Sequence, residues 1–136
     1  MKVLVDTSVW SLALRRRTRS QDTTIPDELT RLIHEYRVTM IGPIRQELLS
    51  GIRTPTQYEA LRDKLRAFPD MVLGADDYEL AAQFYNACRS RGIQGSNTDF
   101  LICAVVAKRN QSVFTTDRDF EEYEKVLGVR RYVLGE

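Results

Sequence analysis

MKVLVDTSVW, residues 1–10, is the stretch that decides the fold. Lys2 to Val5 is a short, largely apolar run with β-branched residues, which is typical of a buried strand. Asp6 follows where that strand should end, and Ser8 to Leu14 then has apolar residues at helical spacing. Open α/β sheets bind their ligands beyond the carboxyl ends of their parallel strands. We therefore predict that Asp6 is the first of several carboxylates that hold a divalent metal ion.

The composition of the chain fits one ordinary globular unit. Its 136 residues suit a single domain spanning residues 1–136, and 43% are hydrophobic and 29% charged. The 20 Lys and Arg nearly balance the 19 Asp and Glu, so net charge gives no sign of nucleic acid. The N-terminus does not resemble a signal peptide, and the longest apolar run, residues 100–107, is too short to span a bilayer. We expect a cytoplasmic protein with no membrane partner.

Helical and strand patterns alternate along the rest of the chain. Short apolar strands between helices imply βαβ units and a parallel sheet covered on both faces, hence the α/β class. Cys88 and Cys103 fall in helical patterns and are expected to be buried, reduced thiols. The predicted strands after the first are Val38 to Ile41, Met71 to Leu73, Val113 to Thr115 and Arg131 to Leu134. The predicted helices are Ser8 to Leu14, Asp27 to Tyr36, Ile44 to Ile52, Tyr58 to Phe68, Asp76 to Arg91 with Gly92 as its cap, Asp99 to Lys108 and Asp117 to Leu127.

Histidine content excludes several kinds of catalysis. His34 is the only histidine, so a two-histidine ribonuclease mechanism is impossible. A Ser-His-Asp or Cys-His hydrolase would have to use His34, which lies within a predicted helix, and no G-x-S-x-G elbow presents a serine. The sequence also lacks a G-x-x-x-x-G-K-[ST] loop, and no G-x-G-x-x-G follows the first strand.

Carboxylates are the remaining candidates for chemistry. Asp6 and Asp117 follow predicted strands, Asp99 opens an apolar helix, and Asp119 is a further acid two residues after Asp117. Glu47 borders the buried stripe of its helix, so we expect its side chain near the sheet rather than in water. Each acid also has a structural explanation, because Asp is a favoured N-cap and first-turn residue and Glu47 suits a helix surface.

A shared location strengthens the functional explanation of these acids. Parallel topology brings the carboxyl ends of all strands to one edge, where each close pair of carboxylates would repel by about 4 kcal/mol at an effective dielectric constant of 20. A cation removes that cost, and hard oxygen ligands suit Mg²⁺ or Mn²⁺. Such an ion lowers the pKa of bound water and neutralises charge on a phosphate, which fits hydrolysis of a phosphodiester without histidine.

Four motifs in order give the chain a family resemblance. They are LVDTSVW, PIRQELLSG with Glu47, TDFLICAVVA with Asp99, and FTTDRDF with Asp117 and Asp119. Together they resemble the PIN domain, and more specifically the VapC-type ribonuclease toxins of toxin–antitoxin pairs. The resemblance implies a three-layer α/β/α sandwich with a short, mostly parallel central sheet. It also implies metal-dependent endonucleolytic cleavage of RNA with Mg²⁺ or Mn²⁺, a homodimer, and a small antitoxin that blocks the site.

The family's residues carry over one by one. By resemblance, Asp6, Glu47, Asp99 and Asp117 are catalytic and bind metal, and Asp119 shares or replaces the role of Asp117. Hydroxyls that support these acids or water in the site are expected from Thr7 and from Thr115 or Thr116.

Two features leave alternatives open. The basic cluster of Arg15, Arg16, Arg17 and Arg19 could contact RNA phosphates or an acidic antitoxin, or be a solvated helix end. Trp10 is assigned to the core rather than to a partner surface. The alternative functions are a phosphotransfer enzyme with Asp6 as nucleophile, disfavoured because Ser8 breaks the D-x-D pattern, and a non-catalytic RNA- or protein-binding module.

Overall fold

The structure, a computed structural model, describes residues 1–14 and 22–136. A parallel sheet lies at its centre, and among the described residues it has three strands with β1 (Val3–Val5) in the middle. Strand β1 pairs on both sides, and its three side chains are 0% exposed. Strands buried on both faces read as continuous apolar runs, which explains the sequence at residues 3–5. The strands are β1 (Val3–Val5), β2 (Val38–Thr39) and β3 (Ser112–Phe114).

Helices flank this sheet, and the predicted α/β/α sandwich around a parallel sheet is confirmed. The helix Asn97–Arg109 is the most deeply buried of those described, with seven consecutive buried residues, 100–106, and the helix Ala75–Arg89 packs along it. The helices are α1 (Thr7–Leu14), α2 (Thr24–His34), α3 (Gly42–Leu49), α4 (Pro55–Leu65), α5 (Ala75–Arg89), α6 (Asn97–Arg109) and α7 (Asp119–Leu127).

Local capping fixes where α5 ends and α6 begins. Gly92 has φ of 74°, and the N–H of Ile93 donates to the carbonyl of Cys88 at 2.9 Å, as in a Schellman motif. The predicted stop at Gly92 is therefore confirmed. Ser96 then caps α6, since its Oγ accepts from the N–H of Asp99 at 3.1 Å. This cap sets Asp99 in the first turn of the buried helix.

Two predicted strands are wrong. Met71 to Leu73 and Arg131 to Leu134 are not strands, because the chain at each place makes only one parallel bridge, Met40 with Asp70 and Val113 with Arg131. Beyond each bridge the backbone leaves the sheet: Val72 is 92% exposed, and Val133 and Leu134 are 63% and 48% exposed. The apolar residues in these two segments therefore do not belong to strands of the sheet.

Trp10 and both cysteines lie in the core. Trp10 is 4% exposed and its ring lies 5.2 Å from that of Phe68, so its place in the core is confirmed. Cys88 and Cys103 are free and buried, as predicted. The arginines of the basic cluster lie outside the described residues. No helix within residues 1–14 and 22–136 combines the length and apolar character needed to cross a membrane.

Candidate metal centre

The carboxyl ends of β1 and β3 bring distant acids to one edge of the sheet. Asp6 directly follows β1 and is 7% exposed, and its N–H donates to the carbonyl of Phe114 at 2.9 Å. Asp117 lies three residues beyond Phe114, at the end of the neighbouring strand. Parallel pairing of β1 and β3 therefore places Asp6 and the segment 115–117 side by side.

Three carboxylates form a compact group at this edge. One oxygen each from Asp99, Asp117 and Asp119 lie within 4.8 Å of one another. Asp99 comes from the first turn of α6, Asp119 is the first residue of α7, and the N–H of Asp119 donates to Asp117 Oδ1 at 2.9 Å. The structure thus brings both Asp117 and Asp119 to Asp99.

This donor set fits a hard divalent cation. Octahedral Mg²⁺ holds its oxygen ligands at about 2 Å, which places them about 3–4 Å from each other. The three carboxylate oxygens already lie near that spacing, within 4.8 Å. Small side-chain rotations would close the difference, so Asp99, Asp117 and Asp119 are suited to hold Mg²⁺ or Mn²⁺.

Hydroxyl groups connect Asp6 to this cluster. Thr115 Oγ1 donates to Asp6 Oδ2 at 2.8 Å and accepts the N–H of Asp117 at 3.0 Å. Ser8 Oγ donates to the same oxygen of Asp6 at 2.9 Å. Two donors on one oxygen fix the carboxylate plane, and the Thr115 hydroxyl places Asp6 beside Asp117.

The hydroxyls expected from the sequence have separate contacts. Of the pair Thr115 and Thr116, the side chain of Thr115 reaches Asp6, whereas Thr116 uses its backbone N–H, which donates to Ser8 Oγ at 3.0 Å. Thr7 Oγ1 donates to Glu47 Oε2 at 2.7 Å. Sequence reasoning missed the role of Ser8, although a hydroxyl two residues after an aspartate is a known source of local side-chain hydrogen bonds.

Glu47 lies at the rim of the site rather than inside it. The expectation that its side chain avoids water is wrong, because Glu47 is exposed. The reason is a cavity of about 390 Å³ between α3 and the start of α6, where Pro43 and Thr98 join Glu47 in the wall. Glu47 is not one of the three clustered carboxylates, but its bond to Thr7 holds it beside the end of β1.

Asp99 has the most perturbed environment of these acids. Burial is the main cause that raises its pKa above the ordinary value, and the charges of Asp117 and Asp6 raise it further. Hydrogen bonds from the Tyr123 hydroxyl and the Ser96 N–H act in the opposite direction. Tyr123 stays a neutral donor, since burial and the nearby Asp99 raise the pKa of its phenol. Sequence reasoning missed Tyr123, which reads as an ordinary core residue of α7.

The fold and the sequence of this chain are similar to those of known proteins. Three solved structures share the fold: FitAcB from Neisseria gonorrhoeae (19% identity, TM-score 0.77, 96% of this chain and 96% of that chain covered), VapBC2 from Rickettsia felis bound to a promoter DNA fragment (16%, 0.74, 97% and 98%) and VapBC-1 from nontypeable Haemophilus influenzae (13%, 0.73, 100% and 100%). No curated protein sequence matches this chain. The sequence model of the PIN domain matches residues 3–126, which include every clustered acid, so the chain belongs to the PIN domain family.

Proposed function

We propose that this protein is a divalent metal-dependent endoribonuclease and the toxin of a toxin–antitoxin pair. The observation that carries the proposal is the group of three carboxylate oxygens within 4.8 Å, built from α6 and from the segment that joins β3 to α7. Membership of the PIN domain family supports nuclease chemistry. The fold is also shared with VapBC-5 from Mycobacterium tuberculosis, a member of the VapBC family of toxin–antitoxin systems, and this likeness supports the toxin role.

Each acid has a distinct part in this proposal. Asp99, Asp117 and Asp119 hold Mg²⁺ or Mn²⁺, and Asp6, fixed by Thr115 and Ser8, adds a fourth negative charge beside them. When bound, such an ion lowers the pKa of water and offsets the charge that grows on the phosphate. Without it the four carboxylates would repel an RNA backbone, so binding of substrate and of cation are coupled.

In the same proposal, Glu47 acts on the attacking water. Its carboxylate is exposed on the wall of the cavity beside Thr98, and Thr7 fixes one of its oxygens at 2.7 Å. A carboxylate held at the rim in this way can orient water and accept its proton as the bond to phosphorus forms. The 3′ oxygen or 5′ oxygen that leaves then takes a proton from solvent.

The alternative functions have weaker support. A phosphotransfer enzyme would need Asp6 as an accessible nucleophile, but Asp6 is 7% exposed and two hydroxyls donate to its Oδ2. A non-catalytic binding module would have no need for carboxylates gathered at the expense of mutual repulsion.

An RNA cleavage assay tests the proposal. The purified protein is incubated with a pool of labelled single-stranded and hairpin RNAs in EDTA, Mg²⁺ or Mn²⁺. We expect cleavage only with the metals, and a loss of at least about 100-fold in Asp117→Asn, since the ligand charge is removed. Asp63→Asn in α4, whose side chain is 62% exposed, is the matched control and should cleave like wild type. Full cleavage in EDTA, or by Asp117→Asn, would contradict the proposal.

Two protein partners belong to the same proposal. We propose a small antitoxin that covers the metal centre. Co-purification with the product of the adjacent reading frame, and inhibition of cleavage by that product, test this partner.

We also propose a homodimer, supported by an apolar cavity of about 510 Å³ where Tyr78, Ala82 and Tyr85 of α5 meet Leu101 of α6. Light scattering should give twice the chain mass of 15.7 kDa, and Ala82→Arg should give the monomer. Monomeric wild type would contradict the dimer.

A further inference from the structure

The hydroxyl of Tyr123 joins two helices that carry candidate metal ligands. Tyr123 is 0% exposed in α7, and its ring packs against Phe100 and Phe120 at centroid distances of 5.1 and 5.0 Å. Its Oη donates to Asp99 Oδ2 of α6 at 3.1 Å and lies 3.3 Å from the carbonyl oxygen of Gln94. A buried tyrosine therefore places its one polar group at the edge of the metal centre.

The backbone at Gly95, in the loop before α6, leaves room for this hydroxyl. A Cβ at Gly95 would lie 2.3 Å from Tyr123 Oη and 2.9 Å from the Phe100 ring, both closer than atoms can approach. The glycine therefore allows the loop to contact the hydroxyl directly, and Oη lies between Gln94 and Asp99. Such close packing fixes where the hydroxyl stands.

The same helix carries both the hydroxyl and a carboxylate of the cluster. Asp119 and Tyr123 are four residues apart in α7 and so lie on one side of it. A bond from Tyr123 to Asp99 thus sets the distance between α6 and the start of α7, on which the approach of Asp119 to Asp99 depends. Ser96 N–H is a weaker constraint on Asp99 Oδ2, at 3.5 Å.

We propose that Tyr123 is a positioning residue for the metal: its hydroxyl holds the Asp99 carboxylate in the orientation that lets it share a cation with Asp117 and Asp119. The inference rests on the proposed function, because it requires a cation at these acids. Partners that hydrogen-bond a metal ligand fix its orientation, and their loss typically weakens metal binding 10–100-fold.

Mn²⁺ binding measured by isothermal titration calorimetry, at a temperature where all variants are folded, tests this role. We expect Tyr123→Phe to raise the Kd for Mn²⁺ about 10-fold. Its melting temperature should stay close to that of wild type, since the phenylalanine ring keeps the contacts with Phe100 and Phe120. The matched control is Tyr132→Phe, which removes another buried tyrosine hydroxyl that donates to a carboxylate, Glu28 Oε2 at 2.7 Å, and which should keep the wild-type Kd.

A second variant, Gly95→Ala, displaces the same hydroxyl by adding a methyl group to the loop that contacts it. Gly95→Ala should displace Tyr123 Oη and weaken Mn²⁺ binding, and its effect on Kd should be smaller in the Tyr123→Phe background, where only the contact with the Phe100 ring remains. Fully additive effects of the two changes would contradict a shared route through this hydroxyl.

Asp99→Asn separates failure of this inference from failure of the proposed function. If Asp99→Asn loses Mn²⁺ binding while Tyr123→Phe keeps the wild-type Kd, the positioning role is overturned and the metal site stands. If Asp99→Asn binds Mn²⁺ as wild type does, the metal site itself is wrong, and the positioning role falls with it.

Discussion

The raised pKa of Asp99 links a residue of the candidate metal site to the stability of the fold. Burial, aided by the charges of Asp117 and Asp6, raises its pKa in the folded protein above the unfolded value. A group of this kind stabilises the fold below its unfolded pKa and loses that contribution as pH rises through its folded pKa. In the metal-free protein, the contribution of Asp99 to folding therefore weakens as pH rises.

Asp99→Asn should accordingly raise the stability of the protein and lower its cleavage activity. We predict that in EDTA at pH 7 the variant melts a few degrees above wild type, because the amide has no charge to bury, and that this gain disappears near pH 3. Cleavage should fall at least about 100-fold. Thermal unfolding at several pH values measures the first effect, and a lower melting temperature for Asp99→Asn at neutral pH would refute this account of Asp99.

The two neighbouring threonines allow a matched comparison. Thr115→Val removes the hydroxyl that donates to Asp6 and accepts from Asp117, whereas Thr116→Val leaves both bonds in place. We predict that Thr115→Val costs about 1–2 kcal/mol of stability and lowers cleavage about 10-fold or more, and that Thr116→Val changes both little. Urea unfolding and initial cleavage rates measure the difference, and equal effects at the two positions would count against it.

The sequence patterns identify the acids of the site better than the residues that hydrogen-bond to those acids. Asp6 and Asp117 are visible because each follows an apolar strand, and parallel topology carries such residues to one edge. The contact of Tyr123 with Asp99 joins residues 24 apart, and only packing of α7 on α6 creates it. Nothing in the local pattern distinguishes that tyrosine from other core aromatics, so the sequence could not predict its contact.

At the scale of elements, an ion pair secures α5 to α6. Asp77 is 1% exposed, accepts two hydrogen bonds from Arg109 at 2.7 and 3.1 Å, and takes the N–H of Gly74 at 2.9 Å. Hydrogen bonds from Arg109 are the main cause that holds the pKa of Asp77 well below its ordinary value. Stability from this group is present above its unfolded pKa and is lost as pH falls through the folded one.

Asp77→Asn should therefore be costly at neutral pH and less so in acid. Breaking a buried pair leaves its partner uncompensated, but Arg109 keeps 25% of its side-chain surface, so we predict a loss of about 2 kcal/mol at pH 7. The gap to wild type should shrink as pH falls from about 5 towards 2. Urea unfolding across that pH range measures the difference in stability. The control is Asp76→Asn, because the side chain of Asp76 is 71% exposed. A gap that stays constant with pH would contradict this explanation.

Elements differ in how well their sequence identifies them. Helices α5 and α6 are long, their predicted bounds differ from the observed ones by at most two residues, and Gly92 marks the end of α5. Strands here have two or three residues, too few for a period of two to show. The segments at 71–73 and 131–134 have the same apolar character but only one bridge each, and pairing partners decide between strand and loop.

The whole molecule is what assembles the candidate site. The clustered acids are Asp99, Asp117 and Asp119. Asp6 is not one of the three, and it lies at the same edge because β1 pairs directly with β3 and the Thr115 hydroxyl donates to its carboxylate. No short segment contains the site, so an ion bound there would bind the folded chain and not the unfolded one. Ligands of that kind stabilise the fold by mass action.

A crystal structure of the protein soaked in Mn²⁺, with anomalous diffraction to locate the ion, tests the central claim most directly. We predict a manganese peak about 2 Å from one oxygen each of Asp99, Asp117 and Asp119, with water molecules at the remaining ligand positions. Crystals of Asp117→Asn should lack that peak. Wild-type crystals at saturating Mn²⁺ with no ion among these carboxylates would contradict the account.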